Sequence, residues 1–157
     1  MATKLYIEQN WFSWGRRMSV YNEDGVEVFY AQGEVFTIGR KMTLYDMHDR
    51  PIARITQKLL TFMPKYEIEY EGREYALVRE MTVLRARLRI EGKPWMMHGS
   101  WLDDEFEIME GDRLIMSKRR HWFTIGASFE LDIADSADVL LCLCLSLAKD
   151  GMMADKK

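Results

Sequence analysis

The sequence is poor in cysteine, proline and histidine, and these shortages exclude several classes of protein. Its 157 residues include only two cysteines, both inside an apolar segment, which argues against a disulfide framework. The three histidines lie far apart, no His or Cys pair has metal-ligand spacing, and no glycine-rich phosphate loop occurs. We therefore expect no metal, no cofactor and no catalytic site, and predict that the protein is not an enzyme.

The chain also lacks a dominant charge and a long apolar run. A net charge of -3 with 48% hydrophobic residues is ordinary for a globular protein, so nucleic-acid binding is not expected. As a helix, the apolar run 139–148 would span about 15 Å, against a hydrocarbon core of about 30 Å. No signal-peptide pattern occurs in residues 1–10, so we expect a cytoplasmic protein.

What the sequence does contain is alternation of polar and apolar residues, which predicts half-buried strands. The alternation is clearest in 65–70 and recurs in 85–90, 105–108 and 129–133. Turn signals rich in Gly, Asn and Asp occur at 22–25, 46–51, 71–72, 91–92 and 110–112. This order predicts successive antiparallel hairpins.

An internal repeat indicates that the sheet closes on itself. Residues 49–69 align without gaps on residues 112–132, and both copies have the order turn, strand, turn, strand. Asp49 matches Asp112, and Ile52 matches Ile115. A period this long does not indicate a solenoid, so two copies of a hairpin unit predict a pseudo-symmetric barrel without exposed edges.

The apolar segment 138–148 has no charged face, so it must be buried on every side. Its ends favour a helix near 137–149, although its alternation of large and small residues would also suit a buried strand. The residues that favour the helix ends are Asp135, Ser136 and Asp138 at the start and Lys149 and Gly151 at the finish. We predict one domain over 1–151 with this helix enclosed by the strands, and a flexible tail over 152–157.

Eight short segments, taken together and in order, carry a resemblance to a known family. They are 6–9 (YIEQ), 12–14 (FSW), 20–25 (VYNEDG), 36–41 (FTIGRK), 44–46 (LYD), 55–59 (ITQKL), 64–68 (PKYEI) and 129–133 (FELDI). With the apolar end, they resemble the LURP-one-related family, which shares the tubby C-terminal fold. The resemblance covers Leu5 to about Asp150 and implies a closed antiparallel β-barrel of about twelve strands around a C-terminal hydrophobic helix. Related tubby-like domains bind phosphoinositide headgroups, and phospholipid scramblases are thought to share the fold.

A first candidate binding site is a basic cluster that runs into aromatic residues. Lys118, Arg119 and Arg120 precede His121, Trp122 and Phe123. Cations gain about 1 kcal/mol each near acidic lipid, and Trp favours the headgroup layer, so this pattern is typical of a membrane anchor. The alternative is a solvated turn before a buried strand, which the repeat partner 57–60 favours.

Two further clusters are candidates for binding an anion. Arg85, Arg87 and Arg89 alternate along a predicted strand, which places three guanidinium groups on one outward face. The alternative is pairing with acids on a neighbouring strand, either Glu67 and Glu69 or Glu105 and Glu107. Arg16 and Arg17 follow the aromatic run 11–14, which would either enter a membrane interface or plug one end of the barrel.

Two functions therefore stay open for the sequence. The first is a peripheral module that binds an anionic phospholipid or another phosphorylated ligand through its basic clusters, which would bring the protein to the membrane surface. The second is a cytosolic structural scaffold that presents its loops to a protein partner. Salt-sensitive binding to vesicles distinguishes the first function from the second.

Overall fold

The structure, a computed structural model, describes residues 2–8, 17–34, 38–81, 86–99, 104–121, 127–135 and 137–154. Twelve strands and one helix occupy this part of the chain. They are β1 (Thr3–Glu8), β2 (Arg17–Tyr21), β3 (Glu27–Gly33), β4 (Lys41–Asp46), β5 (Pro51–Lys58), β6 (Lys65–Tyr70), β7 (Arg73–Met81), β8 (Ala86–Glu91), β9 (Met96–His98), β10 (Phe106–Glu110), β11 (Arg113–Arg120), β12 (Ala127–Ile133) and α1 (Val139–Ala154).

The strands form a closed antiparallel barrel, as the sequence predicted. Each strand pairs with its neighbours in chain order, and β1 pairs with β12 to close the sheet. The alternation produces a dry inner face: on β6, Tyr66 and Ile68 are buried, whereas the alternate residues Glu67 and Glu69 are not. The predicted turns at 22–25, 46–51, 71–72, 91–92 and 110–112 all join consecutive strands.

The internal repeat is visible in the strand register. Ile55 on β5 lies opposite Ile68 on β6, and Lys118 on β11 lies opposite Leu131 on β12, which are equivalent pairs in the two copies. The pairing of β5 with β4 skips Ile52, and the pairing of β11 with β10 skips the equivalent Ile115. The two copies therefore share both their register and their β-bulge.

The helix α1 lies inside the barrel and supplies much of its core. Every residue from Leu141 to Lys149 is buried. Asp138 caps its first turn, since its Oδ1 accepts a hydrogen bond of 3.2 Å from the backbone N–H of Leu141. Of the three residues that favoured the helix start, Asp138 is thus the one whose carboxylate caps α1, and the helix excludes the strand alternative.

The predicted C-terminal end of the helix was wrong. α1 continues to Ala154 instead of ending near residue 149, and Met152, which was assigned to a flexible tail, is buried. Lys149 does not serve the helix C-terminus either, because it lies inside the barrel before the last turn.

Gly151 lies inside the helix because of a tertiary contact. A Cβ atom at this position would lie 3.1 Å from three side-chain atoms of Tyr66 on β6, two of the ring and the hydroxyl oxygen. Glycine thus allows α1 to approach the barrel wall here, although it costs a helix about 1 kcal/mol relative to alanine. Glycine often marks the end of a helix, but here it is needed inside the helix because any larger side chain would crowd Tyr66.

We expect Gly151→Val to lower the free energy of unfolding by about 1–3 kcal/mol, because its branched side chain would overlap Tyr66. The measurement is urea unfolding of the variant and of the parent protein. Ala154→Val, at a partly exposed position of the last turn, serves as the control for the helix propensity of valine. Because valine has a higher helix propensity than glycine, a Gly151→Val variant at least as stable as the parent would show that the contact with Tyr66 imposes no constraint.

Candidate functional site at the long-loop end of the barrel

The two ends of the barrel differ in their connections. The odd-numbered strands all run towards one end, which we call the long-loop end, where the connections are 9–16, 34–40, 59–64, 82–85, 99–105 and 121–126. At the opposite, tight-turn end, the strand connections are no longer than five residues, such as Glu71–Gly72. α1 enters at the tight-turn end and finishes at the long-loop end. Among the described candidate binding residues, Arg17, Arg87, Arg119 and Arg120 lie in the parts of their strands nearest the long-loop end, whereas Arg89 pairs with Glu91, the last residue of β8 at the tight-turn end.

The two ends also differ in charge. The comparison covers the described residues of the connections and the strand residues that flank them. Counted by backbone position, the long-loop end has six cations (Arg17, Arg40, Lys41, Lys58, Lys65, Arg120) and four acids (Glu8, Glu34, Asp104, Glu105), although the Arg17 guanidinium pairs with Glu27, which begins β3 at the opposite end. At the tight-turn end there are four cations (Arg50, Arg73, Lys93, Arg113) and eleven acids (Glu23, Asp24, Glu27, Asp46, Asp49, Glu71, Glu91, Glu110, Asp112, Asp135, Asp138). The described parts of the barrel are thus polarised along its axis, with the positive side at the long loops.

An exposed apolar loop projects from the long-loop end between β5 and β6. Leu60 and Phe62 are fully exposed, at 103% and 102% of their reference areas, and Leu59 is half exposed. Ile38, in the neighbouring connection between β3 and β4, is 89% exposed. We call Ile38 and residues 59–63 together the apolar tip.

Hydrogen bonds hold the apolar tip in shape. The Thr61 hydroxyl donates to the Met63 carbonyl at 2.7 Å and also lies 3.2 Å from the Lys58 carbonyl. At the base of the tip, the Gln57 N–H donates to the Arg40 carbonyl at 2.8 Å, and the Arg40 N–H donates to Gln57 Oε1 at 2.9 Å. The fixed turn therefore directs its large apolar side chains into solvent instead of folding them onto the barrel.

Two lysines bracket the loop at its base. Lys58 Nζ lies 3.6 Å from Glu67, and Lys65 Nζ lies 3.1 Å from Glu91, in partly exposed ion pairs. Residues 57–65 contain no acid, so the partner acids lie back along the strands. The loop thus has an apolar apex above a cationic base.

Lys118 lies in the barrel interior, which corrects its placement in a surface cluster. Its side chain is 2% exposed, and its Nζ contacts Asp150 Oδ1 on α1 at 2.8 Å. The ammonium group also lies 4.5 Å from the centre of the Phe129 ring. The physical reason is the register, because Lys118 occupies the inward position that Ile55 fills in the other repeat copy.

Arg119 and Arg120 are at the surface, each in an ion pair with an acid of the same end. Arg119 Nη2 lies 2.9 Å from Glu107, and Arg120 Nη2 lies 2.5 Å from Asp104. The backbone N–H of Arg120 also donates to Glu105 at 3.0 Å. The aromatic pair Trp122 and Phe123 that completed this predicted anchor lies outside the described residues.

The predicted arginine comb is partly visible on β8. Arg85 lies outside the described residues, Arg87 is exposed, and Arg89 pairs with Glu80 and Glu91. Pairing with acids was the predicted alternative, and it is confirmed for Arg89. The expected acids were wrong, because β8 lies between β7 and β9, away from the β6 acids Glu67 and Glu69.

The aromatic-basic run at 11–17 is described only at its end. Arg16 and the aromatic residues before it lie outside the described residues. Arg17 pairs with Glu27 at 2.5 Å, and its guanidinium lies 3.9 Å from the centre of the Tyr30 ring. Ligand binding by Arg16, Arg17 and the other predicted arginines stays a prediction.

The two cysteines lie in the buried core of the barrel. Cys142 and Cys144 are free and buried, and burial raises the pKa of Cys142 to about 12 and that of Cys144 further, so neither is a thiolate at neutral pH. No group of three or more His, Cys, Asp or Glu side chains in the described residues could hold a metal ion. The described part of the chain also has no helix long and apolar enough to cross a membrane.

Sequence reasoning overlooked the apolar tip, although a signal was available. The run Leu59-Leu60-Thr61-Phe62-Met63 breaks the polar-apolar alternation and lies between two lysines, without an acid. The segments 55–59 and 64–68, which carry the family resemblance, flank this run, whereas residues 60–63 carry none of it. An apolar run between a strand and a proline is equally compatible with a buried turn. Only the three-dimensional structure shows that the side chains of this run are exposed.

Comparisons with known proteins agree with the fold. A family model described as LURP-one-related matches residues 3–150. The uncharacterized protein YxjI of Bacillus subtilis (strain 168) is 30% identical over 151 residues, which cover 96% of this chain and 93% of that protein. The X-ray structure of the Arabidopsis thaliana protein AT5G01750 superimposes with a TM-score of 0.65 at 13% identity, over 95% of this chain and 90% of that one. At this identity, the structural likeness shows the fold alone.

Proposed function

The chain belongs to the LURP-one-related family, and on this premise we propose that it is a peripheral module that binds anionic phospholipid membranes with the long-loop end of its barrel. The observation that carries the proposal is the axial charge polarity. Counted by backbone position over the residues that the structure describes, the long-loop end has six cations and four acids, whereas the tight-turn end has four cations and eleven acids. In the field of an anionic surface, this distribution favours an approach with the long loops first.

The ion pairs of the arginines do not prevent such binding. Arg119 and Arg120 have exposed side chains, and an exposed ion pair contributes only about 0–1 kcal/mol. A lipid phosphate offers the same guanidinium a charge-assisted, bidentate hydrogen bond. Exchange of a carboxylate partner for a phosphate therefore costs little.

We expect the protein to co-sediment with vesicles of phosphatidylcholine and phosphatidylglycerol, and not with phosphatidylcholine alone. The double variant Lys41→Glu and Lys58→Glu should lose at least about tenfold in affinity at low salt, because each reversal removes one attractive charge and adds one repulsive charge near the lipid. The loss should shrink at physiological salt, where the Debye length is about 8 Å. Phosphoinositide-containing and cardiolipin-containing vesicles then show whether one headgroup is preferred.

The matched control reverses two cations at the opposite end of the barrel. Arg73→Glu and Arg113→Glu change the net charge of the protein by the same amount, and Arg113, like Lys58, belongs to an exposed ion pair. This control should bind almost as well as the parent protein. Equal losses in both double variants would show that only net charge matters, and no binding to any vesicle would leave the scaffold function.

A further inference from the structure

We propose that the apolar tip, Ile38 with residues 59–63, inserts into the interfacial layer of an anionic bilayer, with Lys58 and Lys65 at the level of the lipid phosphates. This inference rests on the proposed function and adds to it the element that enters the membrane. Charge brings the long-loop end to the surface, whereas the tip supplies an attraction that salt does not screen.

The exposure of the tip is the first argument. Leu60 and Phe62 are fully exposed, whereas apolar side chains of the strands on either side of the loop, such as Ile55 and Tyr66, are buried in the barrel. The Thr61 hydrogen bonds and the contact between the Gln57 and Arg40 backbones hold the loop in the outward conformation. Two large apolar side chains held in water contribute no stability to the folded protein. We therefore expect an apolar environment to cover them.

The shape of the tip decides between a bilayer and a folded protein partner. Leu60 and Phe62 project from the apex of a hairpin, and the twelve described strands leave no free edge beside them, since they form a closed barrel. A protein partner would need a complementary pocket, whereas the acyl region of a bilayer accommodates any projecting apolar group.

Charge complementarity supports the same occupant. Residues 57–65 carry two lysines and no acid, and Arg40 and Lys41 stand just before and at the start of the neighbouring strand β4. Cations placed behind an inserted apolar apex lie at the depth of the phosphates, where long side chains extend their charged ends to water and lipid headgroups. The tip therefore combines both attractions at one place on the barrel.

The test measures the environment of a single labelled position. Leu60→Cys places a thiol at the apex, and the native Cys142 and Cys144 are buried with raised pKa values, so a maleimide fluorophore reacts with the introduced thiol alone. Val26→Cys provides the matched control, because Val26 is an exposed apolar residue at the tight-turn end. On phosphatidylglycerol-containing vesicles, we expect a blue shift and quenching by brominated acyl chains at position 60, and neither at position 26.

A second variant measures what the tip contributes to binding. Leu60→Ser with Phe62→Ser should keep the parent stability, because both side chains are fully exposed, and should weaken vesicle binding by at least about tenfold. The factor should be the same at low and at physiological salt, unlike that of the charge-reversed variant, because apolar transfer is not screened.

The outcomes separate this inference from the proposed function. Vesicle binding with an unquenched label at position 60 and an unchanged affinity of the serine variant would overturn insertion and leave surface binding intact. No vesicle binding at all would overturn both. A parent protein that self-associates in sedimentation velocity, and becomes monomeric in the serine variant, would identify a second copy of the chain as the occupant and overturn insertion.

Discussion

Leu143→Asp is expected to abolish the folded state of the protein. Leu143 lies at the centre of the buried segment of α1, with no exposed surface, and residues on either side of it are also buried. The new carboxylate would lie in the middle of the barrel core, where it could reach neither water nor a cation without breaking the barrel. No rearrangement of one side chain can solvate it.

The magnitudes support a complete loss. Removal of a buried leucine side chain forfeits about 1.5–3 kcal/mol of apolar burial. Burial of an unpaired carboxylate adds several kcal/mol, even after relaxation. Together these terms match the total stability of a typical domain, about 5–15 kcal/mol, so the unfolded or aggregated state should predominate.

The measurement compares soluble yield, near-ultraviolet circular dichroism and thermal unfolding of the variant and the parent protein. Leu60→Asp is the matched control, because the same substitution at a fully exposed leucine should change stability by no more than about 0.5 kcal/mol. A Leu143→Asp variant with the parent thermal transition would show that α1 is not the core of the fold.

The sequence predicted the architecture because three independent patterns agree. The alternation on β6 marks one dry face, the repeat places β5–β6 and β11–β12 in equivalent registers, and the uncharged segment of α1 requires an enclosure. The end of α1 was not predictable from local pattern. A glycine such as Gly151 is typical of a helix C-terminus. Only the packing of Tyr66 against it explains why this glycine lies within the helix.

The arrangement of the candidate site was not predictable from the basic clusters. Residues adjacent along a strand send alternate side chains to opposite faces, so adjacency in sequence does not place a cluster on one surface. Lys118 therefore separates from Arg119, which is exposed. The acid partners of Arg89 depend on which strands flank β8, and that follows from the whole topology.

We expect the second large loss of stability for Asp150→Ala, because this substitution leaves the buried Lys118 without its acid. Asp150 is the acid that pairs with Lys118, and its side chain is 22% exposed, whereas the Lys118 side chain is 2% exposed. The substitution leaves a buried ammonium group without its carboxylate. Removal of one partner of a buried ion pair lowers the free energy of unfolding by about 3–5 kcal/mol. Chemical unfolding of the variant and the parent measures this loss.

The same contact predicts that Asp150→Ala and Lys118→Met differ in their loss of stability. The difference shows whether the cost comes from an unpaired buried charge or from the lost contact itself. Lys118→Met removes the charge that burial penalises and leaves Asp150, which retains some access to water; the equivalent repeat position holds the apolar Ile55. Because an apolar replacement of a buried ion is often neutral or stabilising, Lys118→Met should cost no more than about 1 kcal/mol, and it should rescue Asp150→Ala in the double variant. Arg119→Ala, which breaks an exposed pair one residue away, should change stability by about 0–1 kcal/mol. If Lys118→Met were as destabilising as Asp150→Ala, the pair would stabilise the barrel by mutual attraction, and the lysine would be a structural requirement at a position where the repeat accepts isoleucine.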